Sequence, residues 1–274
     1  MNNVQAIVMA ILQGVTELFP VSSLGHAVIL PRLLHWGIDQ KAADFLPYLV
    51  VMHLGTAIAL LLYFWRDWVA FATSLLSPSS PRAQADRRIF LFIVLATIPA
   101  VVVGTVLRKL LGDAFGTPLI AAIFLVVNGF ILFVGDRIGG QAVGTLDQLN
   151  WKGALAIGFA QCAALIPGIS RSGATIVTGV VAGLQHKDSA RFSFLMAPPI
   201  MLGATVHEAP ALFREGSTLG GAAILSGIVA GVVAYASIVF LMRYFRRHEF
   251  EALNPFAYYC WAAGVASIAI IALT

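Results

Sequence analysis

Two stretches of the chain place hydroxyl, carboxylate, imidazole and guanidinium groups inside an otherwise apolar sequence. The first runs from Gln13 to His26 (QGVTELFPVSSLGH) and the second from Gln161 to Ala174 (QCAALIPGISRSGA). At a constant offset of 148 residues Gln13 matches Gln161, Leu18 matches Ile166, Val21 matches Ile169, Ser22 matches Ser170 and Gly25 matches Gly173. In the first stretch Gln13 and Glu17 are one helical turn apart and project from one face. A carboxylate at the centre of a bilayer costs about 2.5–3.5 kcal/mol, so Glu17 needs a partner. A divalent cation (Mg2+ or Ca2+) held by Glu17 and the Gln13 amide oxygen would serve, and so would an ion pair with Arg171. Pro20 breaks the helix, and Ser22 and Ser23 sit where the next one begins, as caps or as a nucleophile. His26 follows Ser23 within about one turn; an imidazole beside a hydroxyl can activate a nucleophile or protonate a leaving oxygen.

The second stretch suits an anion. Ser170, Arg171, Ser172, Gly173 and Thr175 offer hydroxyls, a bidentate guanidinium and, if a helix opens at Gly173, backbone N–H groups that bind phosphate. The alternative is an arginine that neutralises Glu17, with small hydroxyl residues packing between helices. His53 and His207, with Glu208 beside the latter, are weaker candidates for the rim of such a cavity, and Asn128 reads as interhelical glue.

These residues must be positioned by a membrane-embedded helical frame. Hydrophobic residues make up 59% of the 274-residue chain and charged residues 11%, and the mean hydropathy is +0.88. A soluble domain carries about 25% charged residues. The composition therefore specifies an all-α integral membrane protein of one multi-pass domain. Spans are predicted at 46–65, 89–107, 117–135, 192–207, 219–242 and 253–273, the fourth kinked at Pro198-Pro199. The regions 4–36 and 151–184 are each cut by one of the polar stretches, leaving arms too short to cross. They read as two re-entrant helix–loop–helix hairpins, tolerated only inside protein or a wet cavity.

Lys and Arg set the orientation. The loops at 66–88, 136–152, 185–191 and 243–252 hold eleven of them, against five elsewhere outside the Arg171 stretch (Arg32, Lys41, Arg108, Lys109 and Arg214). Those four loops are therefore expected on the cytoplasmic side. An odd number of spans then separates the hairpins, which makes halves of about 1–136 and 151–274 an inverted-topology repeat whose polar stretches meet near mid-membrane. The segment 77–88 reads as an exposed linker, Cys162 and Cys260 as core fillers, and the N-terminus as lacking a signal peptide. The formal charge of +4 sits in loops with no aromatic-interleaved basic patch, so no nucleic-acid partner is expected.

The run Gln13-x-x-x-Glu17, then Pro20-Val21-Ser22-Ser23-x-Gly25-His26, then Pro167-Gly168-x-Ser170-Arg171-Ser172-Gly173-Ala174-Thr175 resembles the undecaprenyl-diphosphate phosphatase family linked to bacitracin resistance, over essentially the whole chain. The resemblance implies hydrolysis of the terminal phosphate of undecaprenyl diphosphate at the outer face of the bacterial inner membrane. It further implies divalent-metal dependence, a homodimer and recycling of the lipid carrier for cell-wall synthesis. Transferred to this chain, it makes Ser23 the nucleophile and His26 the base or acid. Glu17 with Gln13 becomes the metal and catalytic pair, and Arg171 the diphosphate clamp. Ser22, Gly25, Ser170, Ser172, Gly173 and Thr175 become substrate-binding. Leu24 stands where several members have Thr or Ser, so a hydroxyl there is dispensable. A phosphatidic-acid-type phosphatase would need a His where Val177 stands after Ser170-Arg171. A polyprenyl-phosphate transporter could use the same midplane site without chemistry.

Overall fold

The computed structural model describes residues 2–38, 45–76, 80–111, 117–140, 142–212 and 220–273. Lys41 and Arg214, the side chains of Arg108, Lys109 and Glu208, and part of the proposed linker at 77–88 lie outside what is described. The described residues form eleven α-helices: α1 (Asn3–Thr16), α2 (Ser23–Leu33), α3 (Phe45–Tyr63), α4 (Trp65–Leu76), α5 (Pro81–Leu111), α6 (Pro118–Gly139), α7 (Trp151–Ala160), α8 (Arg171–Val181), α9 (His186–Leu212), α10 (Gly220–Arg247) and α11 (Asn254–Leu273). Short 3₁₀ turns sit at Leu146–Gln148 and Gln161–Leu165, and among the described residues one isolated bridge, Gly144 to Leu184, is the sole β-type pairing.

Among the described residues four helices are long and apolar enough to cross a membrane: Pro81–Val106, Pro118–Gly139, Ala223–Arg247 and Asn254–Leu273. A fifth span is possible if Pro47–Tyr63 and Trp65–Leu76, bent by 74° at the break, count as one. The protein is therefore a multi-span helical membrane protein. The expected span at 192–207 falls inside α9, which runs as one helix through Pro198-Pro199 and is not among these spans. The linker expectation at 77–88 is corrected too. Pro81, at the first position of α5, favours a helix start because its missing N–H has no intrahelical partner there, and Ser80 caps that helix through Ala83 N at 3.1 Å.

The halves share local structure at the 148-residue offset. Asn2 caps α1 and Asn150 caps α7, each through the backbone N–H three residues on. Ser22 caps α2 and Ser170 caps α8, and both of these helices are 11 residues long. Side chains facing outward are large and apolar, such as Leu62, Val101, Ile228 and Val265, while the interior is one continuous apolar cluster with a smaller satellite around Met9, Tyr48 and Met52. Helices approach closely where small residues allow it. A Cβ at Gly55 of α3 would lie 1.9 Å from the Gly227 carbonyl of α10, and one at Gly158 of α7 would lie 2.6 Å from the Ala96 carbonyl of α5.

The four Lys/Arg-rich loops are joined to one another at one end of the bundle. Arg88 donates to the Asp147 carbonyl, Arg191 pairs with Asp67, and buried His186 pairs with Asp136. The second Asp136 oxygen accepts Leu253 N at 2.9 Å, so that carboxylate ties α6, α9 and the start of α11 together. Segment α7–α8 begins and ends at this same end: Gly144 N donates to Gly183 O at 3.0 Å and Gln185 N to Gly144 O at 2.8 Å. Gly183 (φ +99°) closes α8 by bonding back to Val180, with Leu184 N reaching Gly179 O, the pairing of a left-handed helix terminus.

Candidate active site

The centre of the site is Glu17, which caps the C-terminus of α1 and is 8% exposed. Four side chains converge on its carboxylate. Arg171 Nη2 donates to Oε1 at 3.1 Å, and Gln13 Nε2 to Oε2 at 3.1 Å. Ser23 Oγ donates to Oε2 at 2.5 Å, while His53 Nε2 lies 3.3 Å from the same oxygen. Local sequence explains each. The turn from Glu17 to Val21, containing Pro20, stops α1 and swings the chain so that Ser23, the first residue of α2, faces back to Glu17. Arg171 is the first residue of α8, and its guanidinium crosses to Glu17 while Nη1 holds the Ser193 carbonyl of α9 at 3.3 Å. His53 comes from α3, with Nδ1 against its own helix at Leu49 O, 2.8 Å away.

Since Nδ1 of His53 faces a carbonyl, that nitrogen carries a proton, and Nε2 can bond a carboxylate only if a second proton lies between them. With His53 protonated in this way, Glu17, Arg171 and His53 together would carry one net positive charge, which suits an anion.

The structure brings Gln13, Glu17, Ser23 and Arg171 together and sets His26 apart. His26 Nδ1 is 2.7 Å from Ser22 O, and Nε2 is 2.8 Å from Tyr259 Oη of α11, on which the ring stacks at 5.7 Å and 13°. Both ring nitrogens are engaged, and neither partner is Ser23 or Glu17.

The remaining hydroxyls join the two loops. Ser22 Oγ accepts Gly25 N at 3.2 Å, and Ser170 Oγ accepts Gly173 N at 3.1 Å, so both cap helices. Ser172 reaches the Phe19 carbonyl at 3.3 Å and Ser170 Oγ at 3.0 Å, and Thr175 pairs with Ser193 Oγ at 2.7 Å. Gly25 and Gly173 are contact points: a Cβ on Gly25 would lie 2.9 Å from Gly168 Cα, and one on Gly173 would lie 3.1 Å from Leu132 and 3.4 Å from Pro20.

Asn128 of α6 clamps both loops. Its Nδ2 donates to Pro20 O at 2.9 Å and its Oδ1 accepts Ser170 N at 2.9 Å, with the residue fully buried. Asn128→Leu keeps the branched shape but strands a buried acceptor on one loop and a buried donor on the other, each worth about 1–3 kcal/mol. The expected result is a lower unfolding temperature together with weaker turnover; unchanged values of both would remove the clamp from the account.

Sequence reasoning ranked His53 low and passed over Tyr259. His53 carried a signal, an imidazole in an apolar helix. Tyr259 carried none, being one of two adjacent tyrosines in a span.

A bundle of apolar helices around one buried carboxylate, a hydroxyl and a guanidinium is the arrangement of a membrane-embedded protein that handles an anionic group. The chain belongs to the family described as bacitracin resistance protein BacA, whose profile it matches over residues 6–266. It is 50% identical over 273 residues to the undecaprenyl-diphosphatase of Acidiphilium cryptum, covering 97% of each chain. It is 52% identical over 286 aligned positions to that of Granulibacter bethesdensis, covering 98% of this chain and 97% of the relative. It is also 44% identical over 271 residues to undecaprenyl-diphosphatase 2 of Chromobacterium violaceum, covering 98% of each.

Proposed function

We propose that the chain hydrolyses undecaprenyl diphosphate to undecaprenyl phosphate and inorganic phosphate, as the names of its relatives say of them. The observation that carries this is the Ser23–Glu17 hydrogen bond of 2.5 Å, with Arg171 on the other carboxylate oxygen. Ser23 Oγ attacks the terminal phosphorus while its proton passes to Glu17 Oε2. The P–O bond to the lipid phosphate breaks, and its electron pair leaves with undecaprenyl phosphate. Water then attacks the phosphoserine, the P–Oγ bond breaks as Ser23 Oγ takes back the proton from Glu17, and phosphate leaves with the oxygen and both protons of the water. Of the two bases open to Ser23 on sequence, Glu17 is the one within hydrogen-bonding distance. Arg171 is placed to transfer one arm of its guanidinium from Glu17 to the phosphate, where charge neutralisation and positioning dominate phosphoryl transfer.

Among the described residues no group of three or more His, Cys, Asp or Glu could hold a metal. Glu17 and Gln13 are the residues that would hold a divalent cation, Mg2+ or Ca2+, with the Gln13 amide, which here donates to Glu17, turned to present its oxygen. When bound, such an ion neutralises charge on the terminal phosphate.

The proposal extends to the setting. Matched caps and equal helices at the 148-residue offset, and a segment α7–α8 that starts and finishes beside one set of joined loops, support two re-entrant hairpins in an inverted repeat of about six spans. The eleven Lys and Arg in those loops support a cytoplasmic position in the bacterial inner membrane, with the site opening to the periplasmic side. The prenyl tail would lie among the spans, and the proposed assembly is a homodimer. A transporter of the same lipid has no use for a hydroxyl activated by a carboxylate.

The test is phosphate release from undecaprenyl diphosphate in detergent, with and without chelator. Ser23→Ala and Arg171→Ala should each lose at least about 10³-fold, chelator should abolish release, and phosphate should be captured on Ser23. Folded wild type that releases none when supplied with divalent cation would overturn the enzyme reading and favour carriage of the lipid.

A further inference from the structure

Resting on the phosphatase reading, we propose that Tyr259 is a positioning residue for the nucleophile, acting through His26. Ser22 is the starting point. It is one of the few non-glycine residues with a positive φ, +70°, and it sits directly before Ser23. Such backbone persists only where its surroundings impose it. The Ser22 carbonyl is held twice by His26, by its backbone N–H at 3.2 Å and by ring Nδ1 at 2.7 Å. A carbonyl can only accept, so Nδ1 carries the proton, and in the neutral ring Nε2 is left with the lone pair.

That lone pair points at Tyr259 Oη, 2.8 Å away, whose hydroxyl proton it accepts. The Ser22 carbonyl thus sets the tautomer of His26, and the tyrosine hydroxyl, donating to the lone pair that is left, holds the ring in place. The other tautomer would put a lone pair against the Ser22 carbonyl and release the peptide that carries Ser23. A chain of three contacts thus runs from α11 to the nucleophile: Tyr259 hydroxyl, His26 ring, Ser22 carbonyl. Tyr259 is 46% exposed on the outer face of α11 and stacks on His26, so its bulk closes that side of the imidazole while its hydroxyl holds Nε2.

Tyr259→Phe keeps the stack and removes the hydroxyl. It should lower kcat about tenfold with KM within about twofold, short of the roughly 10²-fold or more of a group that itself transfers a proton in the reaction. In a His26→Ala background the same change should have no further effect, because residues acting as one unit are non-additive. Nitrogen-15 labelling of the histidines, with His26→Gln for assignment, should show His26 with its proton on Nδ1 in both proteins and its Nε2 resonance displaced in Tyr259→Phe, where the hydrogen bond from the hydroxyl is lost. A Tyr259→Phe loss that persists in full in the His26→Ala background would overturn the proposal, as would His26 nitrogen shifts identical with and without the hydroxyl. Wild type that releases no phosphate would refute the phosphatase reading and leave the nitrogen shifts to decide the role of Tyr259.

Discussion

Glu17→Gln should lower phosphate release by about 10³-fold or more while raising affinity for inorganic phosphate. The substitution keeps the size of the side chain and removes its charge and its basicity. Ser23 then faces a neutral amide that cannot take its proton. Arg171, whose side chain is 14% exposed, loses its anionic partner, as does His53. An uncompensated buried cation is strongly destabilising, about 3–5 kcal/mol when a partner is removed, and binding an anion relieves that penalty. Activity and product affinity should therefore move in opposite directions. Calorimetric titration with phosphate, in the absence of divalent cation, reads the second quantity. Weaker phosphate binding by Glu17→Gln than by wild type would show that the carboxylate does not compete with substrate for Arg171.

Gly168→Ala should abolish the assembled site, and Gly183→Ala should scarcely disturb it. Both glycines have similar positive φ, +102° and +99°. An L-residue in left-handed backbone costs roughly 1–2 kcal/mol, and that cost is common to the two. Their surroundings differ. A Cβ at Gly183 meets nothing within 4 Å, whereas one at Gly168 would lie 2.3 Å from the Ala121 carbonyl and 2.8 Å from Leu125 N. These are backbone atoms of α6, which cannot turn aside as a side chain could, so overpacking adds about 1–3 kcal/mol or more. Gly168 also touches Gly25, and its displacement moves the first loop as well. Unfolding temperature and phosphate release should both collapse in Gly168→Ala. A pair of variants with equal losses would mean that backbone conformation alone, and not the contact with α6, governs this turn.

Much of the site was legible because it is local. Gln13 and Glu17 share a face by helical spacing, Ser22 and Ser170 stand where capping serines stand, and the offset of 148 residues identified the two polar stretches as parts of one thing. Asn128 was legible as glue, though its two targets were not. What escaped came from helices remote in sequence. Tyr259 meets His26 across 233 residues, and an apolar helix such as α11, hydrophobic all round, gives no periodic signal of which face turns inward. Spacing put His26 within one turn of Ser23, but its side chain bonds elsewhere. Its ring folds back one turn to the Ser22 carbonyl, a choice that depends on an acceptor already in place and on the donor waiting on α11. Of the six spans expected from sequence, the described residues supply four helices long and apolar enough to cross, or five with the α3–α4 pair, bent by 74°, counted as one.

Ser23 and Arg171 stand at the same place in the two repeats, each the first residue of its 11-residue helix behind a capping serine. Their chemistry is complementary and the scaffold beneath them is nearly interchangeable, which has a genetic consequence. Homologous exchange between the two coding stretches would yield chains with serine at both positions or arginine at both. Such chains keep their caps, their glycine contacts and their place in the membrane, yet one has two nucleophiles and no cation and the other the reverse. Gene conversion within this one reading frame is therefore a route to protein that is made and inserted but inert. Selection must hold the two copies apart at that codon while keeping alike the serine before it and the glycine two residues after it.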